Sequence, residues 1–247
     1  MTLLVPRAED SVHKAWMLRL LSAIADVPAI ARDIRFKGGT CAAMRGFLDR
    51  FSVDLDFDYV GESENLPVLR VSLEKVFANL GLEIKDASHV VPQYFLHYPV
   101  AHGRNTIKVE ITTLALKSNT YELVRLADID RVLHCHTIET MFANKLVALI
   151  DRFEKHGSIA GRDVYDIHHF FLKGFRYDPA IIGERRNTDA PTFFNELIVF
   201  TEKNITQTII DQDLNSLLTP EAFRRIRHVL KQETMMFLRD ERSRISK

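Results

Sequence analysis

The stretch RFKGGTCAAMRGFLDRFSVDLDFDYV, residues 35–60, places two adjacent glycines behind a lysine and then three aspartates at alternate positions of an apolar run. Alternate residues of a strand share one face, so Asp54, Asp56 and Asp58 would project together while the apolar residues between them point into a core. Neighbouring carboxylates repel each other, and aspartate is rare in strands. The pattern therefore needs a compensating cation, or it belongs to an edge strand with an acidic, solvated face.

A divalent metal ion is the cation that suits these carboxylates best. Mg²⁺ prefers hard oxygen ligands, keeps several waters and takes further ligands from substrate phosphates. The run TIKVEITT, residues 106–113, reads as a neighbouring strand in which Glu110 alternates with apolar residues. Glu110 would add a third carboxylate to Asp54 and Asp56, although a lone glutamate in a strand is also compatible with simple exposure.

The double glycine is the second informative feature of this stretch. Gly38 and Gly39 lie between a predicted strand and a predicted helix that opens at Thr40. At such a turn the main chain can approach a ligand closely, and the amide groups of a helix N-terminus favour an anion; an ordinary turn is the alternative. The chain has no Walker-type loop and no GxGxxG fingerprint, which excludes two common nucleotide-binding loops. We predict that the polar side chains nearest in sequence to this turn and to the acidic strand, which are Lys37, Thr40, Arg50 and Ser52, contact a nucleotide bound at the turn.

The composition excludes several classes of protein. The 33 basic and 33 acidic side chains balance, so bulk positive charge alone does not hold a nucleic acid here. Two cysteines, Cys41 and Cys135, cannot build a disulfide framework and have no zinc-ligand spacing. No segment approaches the roughly 18 uninterrupted apolar residues that a membrane span needs. We therefore expect a protein of the reducing cytoplasm with no membrane partner.

The predicted elements change character along the chain. Before residue 137 helices alternate with short strands, whereas the later segments have helical periodicity. We predict an α+β protein in which a mixed sheet with flanking helices, 1–136, precedes a helical domain, 137–247. The predicted helices cover 11–27 with Ser11 as N-cap, 40–48, 67–81, 138–156, 162–174, 190–205 and 220–240. The predicted strands cover 33–36, 53–60, 90–100 and 106–113, and a last strand near 131–135 closes the sheet.

Four motifs carry a resemblance to a known family. FKGGT followed by RFSVDLDFD resembles the AbiEii/AbiGii toxin family of nucleotidyltransferases, members of the polymerase-beta-like superfamily, and TIETMFANKLVALIDRF and GRDVYDIHHF resemble that family's later motifs. The resemblance implies a polymerase-beta-like nucleotidyltransferase sheet followed by a helical bundle. It also implies that Gly38, Gly39 and Thr40 hold nucleotide phosphates and that Asp54 and Asp56 bind the metal. Lys145 and an aspartate of the RDVYD segment would complete the site.

The residues of the two helical motifs agree with this interpretation. Lys145 occupies the apolar stripe of its predicted helix, and Arg152 lies nearly above it. A lysine buried there needs a phosphate or carboxylate partner, unless it extends past the edge of the core. Asp163 lies nearer the core face of its helix than Asp166, so we predict that Asp163 orients Lys145 or Arg152, with Asp166 as the second candidate. Either aspartate could instead serve the helix N-terminus through the helix dipole.

The implied activity is transfer of a nucleoside monophosphate from a nucleoside triphosphate to an acceptor hydroxyl. Two Mg²⁺ ions would be held by Asp54, Asp56 and Glu110. The resemblance implies a toxin with an antitoxin partner and an RNA acceptor such as the 3′ end of tRNA. A small molecule or a protein as acceptor, and a non-catalytic nucleotide-binding module, remain as alternatives. The triphosphate would contact Lys37, Lys145 and Arg152, and the basic segment FRRIRHVLK, 223–231, either contacts the acceptor backbone or is a solvated face.

Overall fold

The computed structural model describes residues 4–88, 90–100 and 103–246, which divide into two units. The first unit runs to Ala115 and resumes over Thr120–Thr137, and the second comprises Leu116–Asn119 and the residues from Ile138 onward. The segment Leu116–Asn119, which the predicted boundary assigns to the sheet domain, belongs to the second unit. There the Glu184 carboxylate accepts two backbone N–H groups of this segment, at 2.9 and 2.8 Å.

The described residues of the first unit contain one seven-stranded sheet. Its strands are β1 (Ile34–Lys37), β2 (Asp54–Tyr59), β3 (Glu83–Ser88), β4 (Gln93–His97), β5 (Thr106–Thr112), β6 (Tyr121–Leu126) and β7 (Arg131–His136). They lie in the order β3-β4-β5-β2-β1-β7-β6. The pairs β1–β7 and β2–β5 are parallel and the other pairs are antiparallel, so the sheet is mixed, as predicted.

The two faces of the sheet differ sharply in polarity. The apolar face carries fully buried side chains from five strands: Phe36, Leu55, Phe57, Tyr94, Leu96, Ile107, Val109, Ile111 and Cys135. The opposite face, which we name the polar face, carries Lys37, Asp54, Asp56, Asp58, Lys108, Glu110, Thr112 and His136. A slip of one residue in any central strand would move carboxylates into the core, so this alternation fixes the register of the sheet.

The helices of the first unit are α1 (Asp10–Ala25), α2 (Pro28–Ala31), α3 (Gly38–Met44) and α4 (Leu66–Asn79). Phe77 of α4 contacts Tyr94 of the apolar face edge to face, with ring centroids 5.1 Å apart. Two predicted helix starts are corrected. Ser11 lies inside α1, whose N-cap position is Glu9 without a side-chain hydrogen bond. The predicted helix 40–48 begins earlier, at Gly38, and ends at Met44, because the chain turns at Gly46 with φ 76°.

Two strands of the sheet were not predicted from the sequence. β3 and β6 are its edge strands, and β7, which we expected to close the sheet, pairs with both β1 and β6. Four of the six side chains of β3 are exposed and three of these are charged, so the segment lacks the apolar alternation that marks a half-buried strand. The segment is a strand because it pairs with β4, whose side chains alternate between buried and partly exposed.

The helices of the second unit are α5 (Ile138–His156), α6 (Gly161–Leu172), α7 (Pro179–Arg186), α8 (Ala190–Asn204), α9 (Gln207–Leu214), α10 (Pro220–Ile226) and α11 (Leu230–Arg244). α6 is central and contacts α5, α9 and α11. A β-carbon on Gly161 would lie 2.7 Å from the carbonyl oxygen of Ile209, so glycine permits the close approach of α9. None of the helices in the described ranges is both long enough and apolar enough to cross a lipid bilayer.

The helix predicted over 220–240 is two helices in the structure, and α7 and α9 were not predicted. The sequence between α10 and α11 contains neither glycine nor proline. The interruption comes from tertiary contacts instead. The Gln207 side chain donates to the carbonyl oxygen of Arg227 at 2.9 Å, and the Arg227 guanidinium binds Asp211. The preference of this segment for a continuous helix is therefore overridden.

Candidate active site

The carboxylates predicted to bind a metal lie on the polar face around β2. In the strand register Asp56 lies opposite Lys37 of β1 on one side and opposite Glu110 of β5 on the other. Asp54, two residues earlier on the same face, lies opposite Lys108. The sheet thus brings together the predicted metal ligands and places a lysine beside each aspartate.

Asp56 has an unusual electrostatic environment. Burial and the neighbouring charges of Asp54 and Glu110 raise the pKa of Asp56 to about 6, against the lowering effect of Lys37. Within the residues that the structure describes, the Asp56 carboxylate accepts no hydrogen bond. An acid that is crowded by like charges and lacks a donor is well suited to bind a cation.

Glu110 is less well placed to bind a metal than Asp54 and Asp56. Its carboxylate accepts hydrogen bonds from Lys108 and, at 3.1 Å, from Gln93. Burial would raise the pKa of Glu110, but these hydrogen bonds and the Lys108 charge lower it below its ordinary value. Across the described ranges no three His, Cys, Asp or Glu side chains converge to enclose an ion. The donor set fits an ion of the Mg²⁺ type, held by Asp54 and Asp56 and completed by water and phosphate oxygens, and Glu110 as a third ligand stays a prediction.

The glycine turn between β1 and α3 is shaped by close neighbours. Gly38 has φ 78°, a left-handed conformation that favours glycine, and a β-carbon there would overlap the Asp56 carboxylate. A β-carbon on Gly39 would lie 2.8 Å from the Ser52 hydroxyl and 2.9 Å from a guanidinium nitrogen of Arg50. Gly38 therefore lets α3 begin directly beside Asp56, and Gly39 leaves room for the buried Ser52 and Arg50 side chains, whatever ligand binds there.

Three predicted nucleotide-binding residues lie beneath this turn instead of beside open solvent. The Thr40 hydroxyl is fully buried and donates to the carbonyl oxygen of Asp54 at 2.5 Å, so it ties α3 to β2. Arg50 is 2% exposed and donates to the carbonyl oxygen of Phe51 at 2.9 Å, and Ser52 is also buried. In this structure these side chains support the turn, and a direct contact of the Thr40 hydroxyl with a phosphate would require the bond to Asp54 to break.

Lys37 and Asp58 belong to a buried network that the sequence did not reveal. Asp58 is 1% exposed and accepts hydrogen bonds from the Lys37 ammonium at 2.5 Å, from Nε2 of His136 at 2.7 Å and from the Tyr121 hydroxyl at 3.0 Å. The Lys37 ammonium also donates to the Thr112 hydroxyl at 2.7 Å. Asp58 is therefore an internal anchor of Lys37, whereas its sequence spacing made it indistinguishable from Asp54 and Asp56.

The charges in this network can be assigned. Burial would raise the pKa of Asp58, but the hydrogen bond from His136 and the charge of Lys37 hold it well below its ordinary range. Burial lowers the pKa of His136, and this effect exceeds the raising effect of Asp58. Neutral His136 therefore donates its Nε2 proton, and Lys37 supplies the positive charge. The alternate histidines in RVLHCH were the one sequence signal for a polar partner on this face.

We expect Asp58→Asn to lower the free energy of unfolding by roughly 1–3 kcal/mol, because the partly buried Lys37 ammonium then loses the carboxylate to which it donates a hydrogen bond. Urea denaturation at pH 7.5 measures this loss. Asp26→Asn is the matched control, since Asp26 forms an exposed ion pair with Arg131 and should leave the unfolding midpoint nearly unchanged. Equal stability of the Asp58→Asn and wild-type proteins would show that Asp58 is not an anchor.

The predicted residues of the helical half form a separate cluster within the second unit. The Lys145 ammonium lies 2.8 Å from Oδ1 of Asp163 and 2.9 Å from Oδ2 of Asp166, and Nε of Arg152 lies 3.3 Å from Oδ2 of Asp163. Both aspartates are fully buried, so the expected difference between them, with Asp163 nearer the core face than Asp166, is not seen. The carboxylate partner expected for Lys145 is present, and both candidate aspartates supply it.

The positive and negative charges of this cluster balance each other. Burial would raise the pKa of Asp163, but the charges of Lys145 and Arg152 outweigh it and lower the pKa to about 2. Arg152 is the most accessible member, with a side chain that is 36% exposed. The two cations, Lys145 and Arg152, and the two carboxylates neutralise each other. Contact of Lys145 or Arg152 with a nucleotide stays a prediction.

The basic segment 223–231 is only partly a free charged surface. Arg227 binds Asp211, and the Lys231 ammonium donates to the carbonyl oxygens of Glu202 and Ile205 at 2.8 and 2.7 Å near the end of α8. The side chains of Arg224, Arg225 and His228 are exposed. Two of the five basic side chains of this segment therefore have structural roles, which favours the solvated face over a continuous acceptor site.

Comparison with known proteins identifies the fold and a family. Residues 19–236 match the family described as Nucleotidyl transferase AbiEii toxin, Type IV TA system. A Helicobacter pylori protein described as a nucleotidyltransferase is structurally similar with a TM-score of 0.62, 19% identity and coverage of 97% of both chains. JHP933 from Helicobacter pylori is similar with a TM-score of 0.53, 19% identity and the same coverage. No curated protein matches the sequence. At this identity the two structures establish a shared fold, and the predicted α+β class is confirmed.

Proposed function

Because this chain belongs to the AbiEii nucleotidyl transferase toxin family, we propose that it transfers a nucleoside monophosphate from a nucleoside triphosphate to a terminal hydroxyl of RNA, such as the 3′ end of a tRNA. The observation that supports this proposal most directly is the placement of Asp56. Its carboxylate has a raised pKa, lies in register with Lys37 and Glu110, and is so close to Gly38 that a β-carbon there would overlap it. A nucleotide with its bound cation satisfies all three features at once.

Each group of residues has a defined part in the proposed reaction. Asp54 and Asp56 would hold Mg²⁺, with two ions expected, and the metal would neutralise charge on the phosphate oxygens and lower the pKa of the acceptor hydroxyl. The glycine turn admits the phosphates close to the main chain, and Lys37, fixed by Asp58 and Thr112, adds a positive charge beside them. Positioning and electrostatic stabilisation account for most of the rate enhancement in such a site.

The reaction is a balanced substitution at phosphorus. The acceptor oxygen forms a bond to the α-phosphorus, and the bond from that phosphorus to the α,β-bridging oxygen breaks. Pyrophosphate leaves with the electron pair of the broken bond, and the hydroxyl proton passes to a carboxylate of the cluster. As a toxin, the protein would act in the cytoplasm, where nucleotides and RNA are abundant, and a toxin family implies an antitoxin partner.

The test is transfer of label from each of the four α-labelled nucleoside triphosphates to total cellular RNA. We expect label on RNA with one preferred nucleotide, dependent on added Mg²⁺ and abolished by a chelator. Label on protein or on a small molecule instead would replace the RNA acceptor by the corresponding class. Absence of label from every acceptor fraction, at enzyme concentrations that bind nucleotide, would leave a non-catalytic binding module and would refute transfer.

A further inference from the structure

The polar face continues past the carboxylates on the side away from the glycine turn. Residues that lie opposite one another on neighbouring strands form rows across this face. One row begins at Lys37 of β1 and Asp56 of β2 and continues through Glu110 of β5 to Gln93 of β4. The row beside it begins at Asp54 and continues through Lys108 of β5 to Phe95 of β4. The glycine turn follows directly after β1, so it lies at the opposite end of these rows from β4.

The geometry of phosphoryl transfer assigns different roles to the two ends. The attacking oxygen and the leaving oxygen lie roughly in line on opposite sides of the phosphorus. If the phosphates occupy the glycine turn, as the proposed function requires, pyrophosphate departs on the β1 side. The acceptor hydroxyl must then arrive from the side of β5 and β4.

Phe95 is the notable side chain on the β5–β4 side. It projects from the polar face and is partly exposed, whereas the aromatic residues of the apolar face are buried. Within the described ranges its ring makes no aromatic or cation–π contact, although its sequence neighbour Tyr94 packs on Phe77. Since neighbouring strands are about 4.8 Å apart, Phe95 lies roughly 10 Å from Asp54 across the sheet.

Lys108 stands between Phe95 and Asp54 in the same row. Its ammonium donates to Glu110, and its side chain is 28% exposed. An ammonium has three donors, so a second, negatively charged partner can bind it. An aromatic ring beside a cation, one row from the reacting centre, is the combination that binds single-stranded nucleic acid by stacking and by phosphate contact.

We propose that Phe95 and Lys108 form the acceptor platform: the base at the 3′ end of a single-stranded RNA stacks on Phe95, and Lys108 contacts a phosphate of the same strand. This proposal rests on the proposed function and names its acceptor class. A polycationic small molecule fits less well, because Lys108 would repel it. Stacking on one ring tolerates different bases, so the platform selects an unpaired strand end and not a sequence.

The test is direct binding of a short, 5′-fluorescein-labelled single-stranded RNA, measured by fluorescence anisotropy without nucleotide or divalent ions. We expect Phe95→Ala to weaken RNA binding about 5- to 150-fold, the range that corresponds to the loss of one stacked base. Phe95→Trp should retain the affinity, whereas Phe95→Leu should behave like the alanine variant. Leu123→Ala is the matched control, since Leu123 is 65% exposed and projects from the same face on β6.

The outcomes separate the platform from the proposed reaction. Loss of RNA affinity in Phe95→Ala, with unchanged melting temperature and unchanged affinity for a non-hydrolysable nucleoside triphosphate with Mg²⁺, supports the platform. Unchanged RNA affinity in Phe95→Ala, an equal loss in Leu123→Ala, or no RNA binding by the wild-type protein overturns it. If RNA binding depends on Phe95 but no label is ever transferred, the platform stands and the reaction fails. If label is transferred and the KM for RNA is unchanged in Phe95→Ala, the reaction stands and the platform fails.

Discussion

Asp56→Asn is expected to abolish nucleotide transfer and, at the same time, to stabilise the metal-free protein. Asparagine keeps the shape of the side chain but removes the charge that would hold the cation, and loss of such an electrostatic contact lowers the rate by about a hundredfold to a thousandfold or more. The stabilisation follows from the pKa of Asp56, which is about 6 in the folded protein against 3.8 for an ordinary aspartate.

The size of this stabilisation depends on pH. Well below pH 4 the carboxyl is protonated in both states, so its ionisation does not affect stability. Between about pH 4 and pH 6 the unfolded chain has released this proton while the folded protein still holds it, so folding becomes less favourable, and above pH 6 the full cost, on the order of 1–3 kcal/mol, is reached. The advantage of Asp56→Asn in urea denaturation should therefore be larger at pH 8 than at pH 4.

The control and the metal dependence make this expectation specific. Asp240→Asn, an exposed aspartate in α11, should change neither the transfer rate nor the stability. Added Mg²⁺ with a nucleoside triphosphate should raise the melting temperature of the wild-type protein, because the ligand binds only the folded state, and should leave Asp56→Asn unchanged. A variant that retains transfer, or that is less stable than wild type at pH 8 without metal, would refute the assignment of Asp56.

Lys145→Met is expected to produce the largest loss of stability, about 3–5 kcal/mol at neutral pH. The Lys145 side chain is 19% exposed and neutralises two fully buried carboxylates, Asp163 and Asp166. Methionine keeps the length of the side chain but removes the ammonium that binds both carboxylates, and a buried charge that loses its partner is strongly destabilising. Chemical denaturation followed by far-ultraviolet circular dichroism measures the loss.

The pH dependence and a rescue test distinguish lost charge from lost packing. In the wild-type protein the lowered pKa of Asp163, about 2, gives stability that is present above pH 4 and disappears as the pH falls through 2. Without Lys145 the two carboxylates gain protons more readily, so the deficit of the variant should shrink towards pH 4. Adding Asp163→Asn and Asp166→Asn should restore part of the stability.

Lys155→Met is the matched control for this substitution. Lys155 lies in the same helix and pairs with Asp151 at 3.7 Å, but its side chain is 67% exposed. Its replacement should change the stability by less than about 0.5 kcal/mol. A similar loss in both variants, or a deficit of Lys145→Met that is independent of pH, would mean that packing and not charge explains the role of Lys145.

The alternation around β2 made much of the sheet predictable. Residues 53–60 reveal both faces of the strand, and the same alternation in residues 106–113 placed Glu110 on the strand that pairs with Asp56. The residues that bind each aspartate could not be predicted from the sequence. Asp58 has the same spacing as Asp54 and Asp56, and only the folded chain brings His136 and Tyr121 to it from strands far along the sequence.

In the helical half, too, features set by neighbouring residues were predictable, whereas features set by contacts with distant residues were not. The apolar stripe around Lys145 predicted a buried lysine and therefore a counter-charge, which Asp163 and Asp166 provide. The break between α10 and α11 could not be predicted, because a hydrogen bond from Gln207, on another helix, ends α10. The edge strands β3 and β6 were missed since a strand paired on one side only carries a weak apolar signal.

The parallel pairing of β1 with β7 affects how the newly made chain folds. Phe36 of β1 lies opposite Cys135 of β7, roughly a hundred residues later in the chain. A ribosome adds about 5–20 residues per second, so one edge of β1 waits for its partner for roughly 5–20 s after synthesis. An unpaired edge is a template for pairing with foreign strands. The speed of translation therefore sets the interval in which a chaperone or a second nascent copy can compete with β7 for β1.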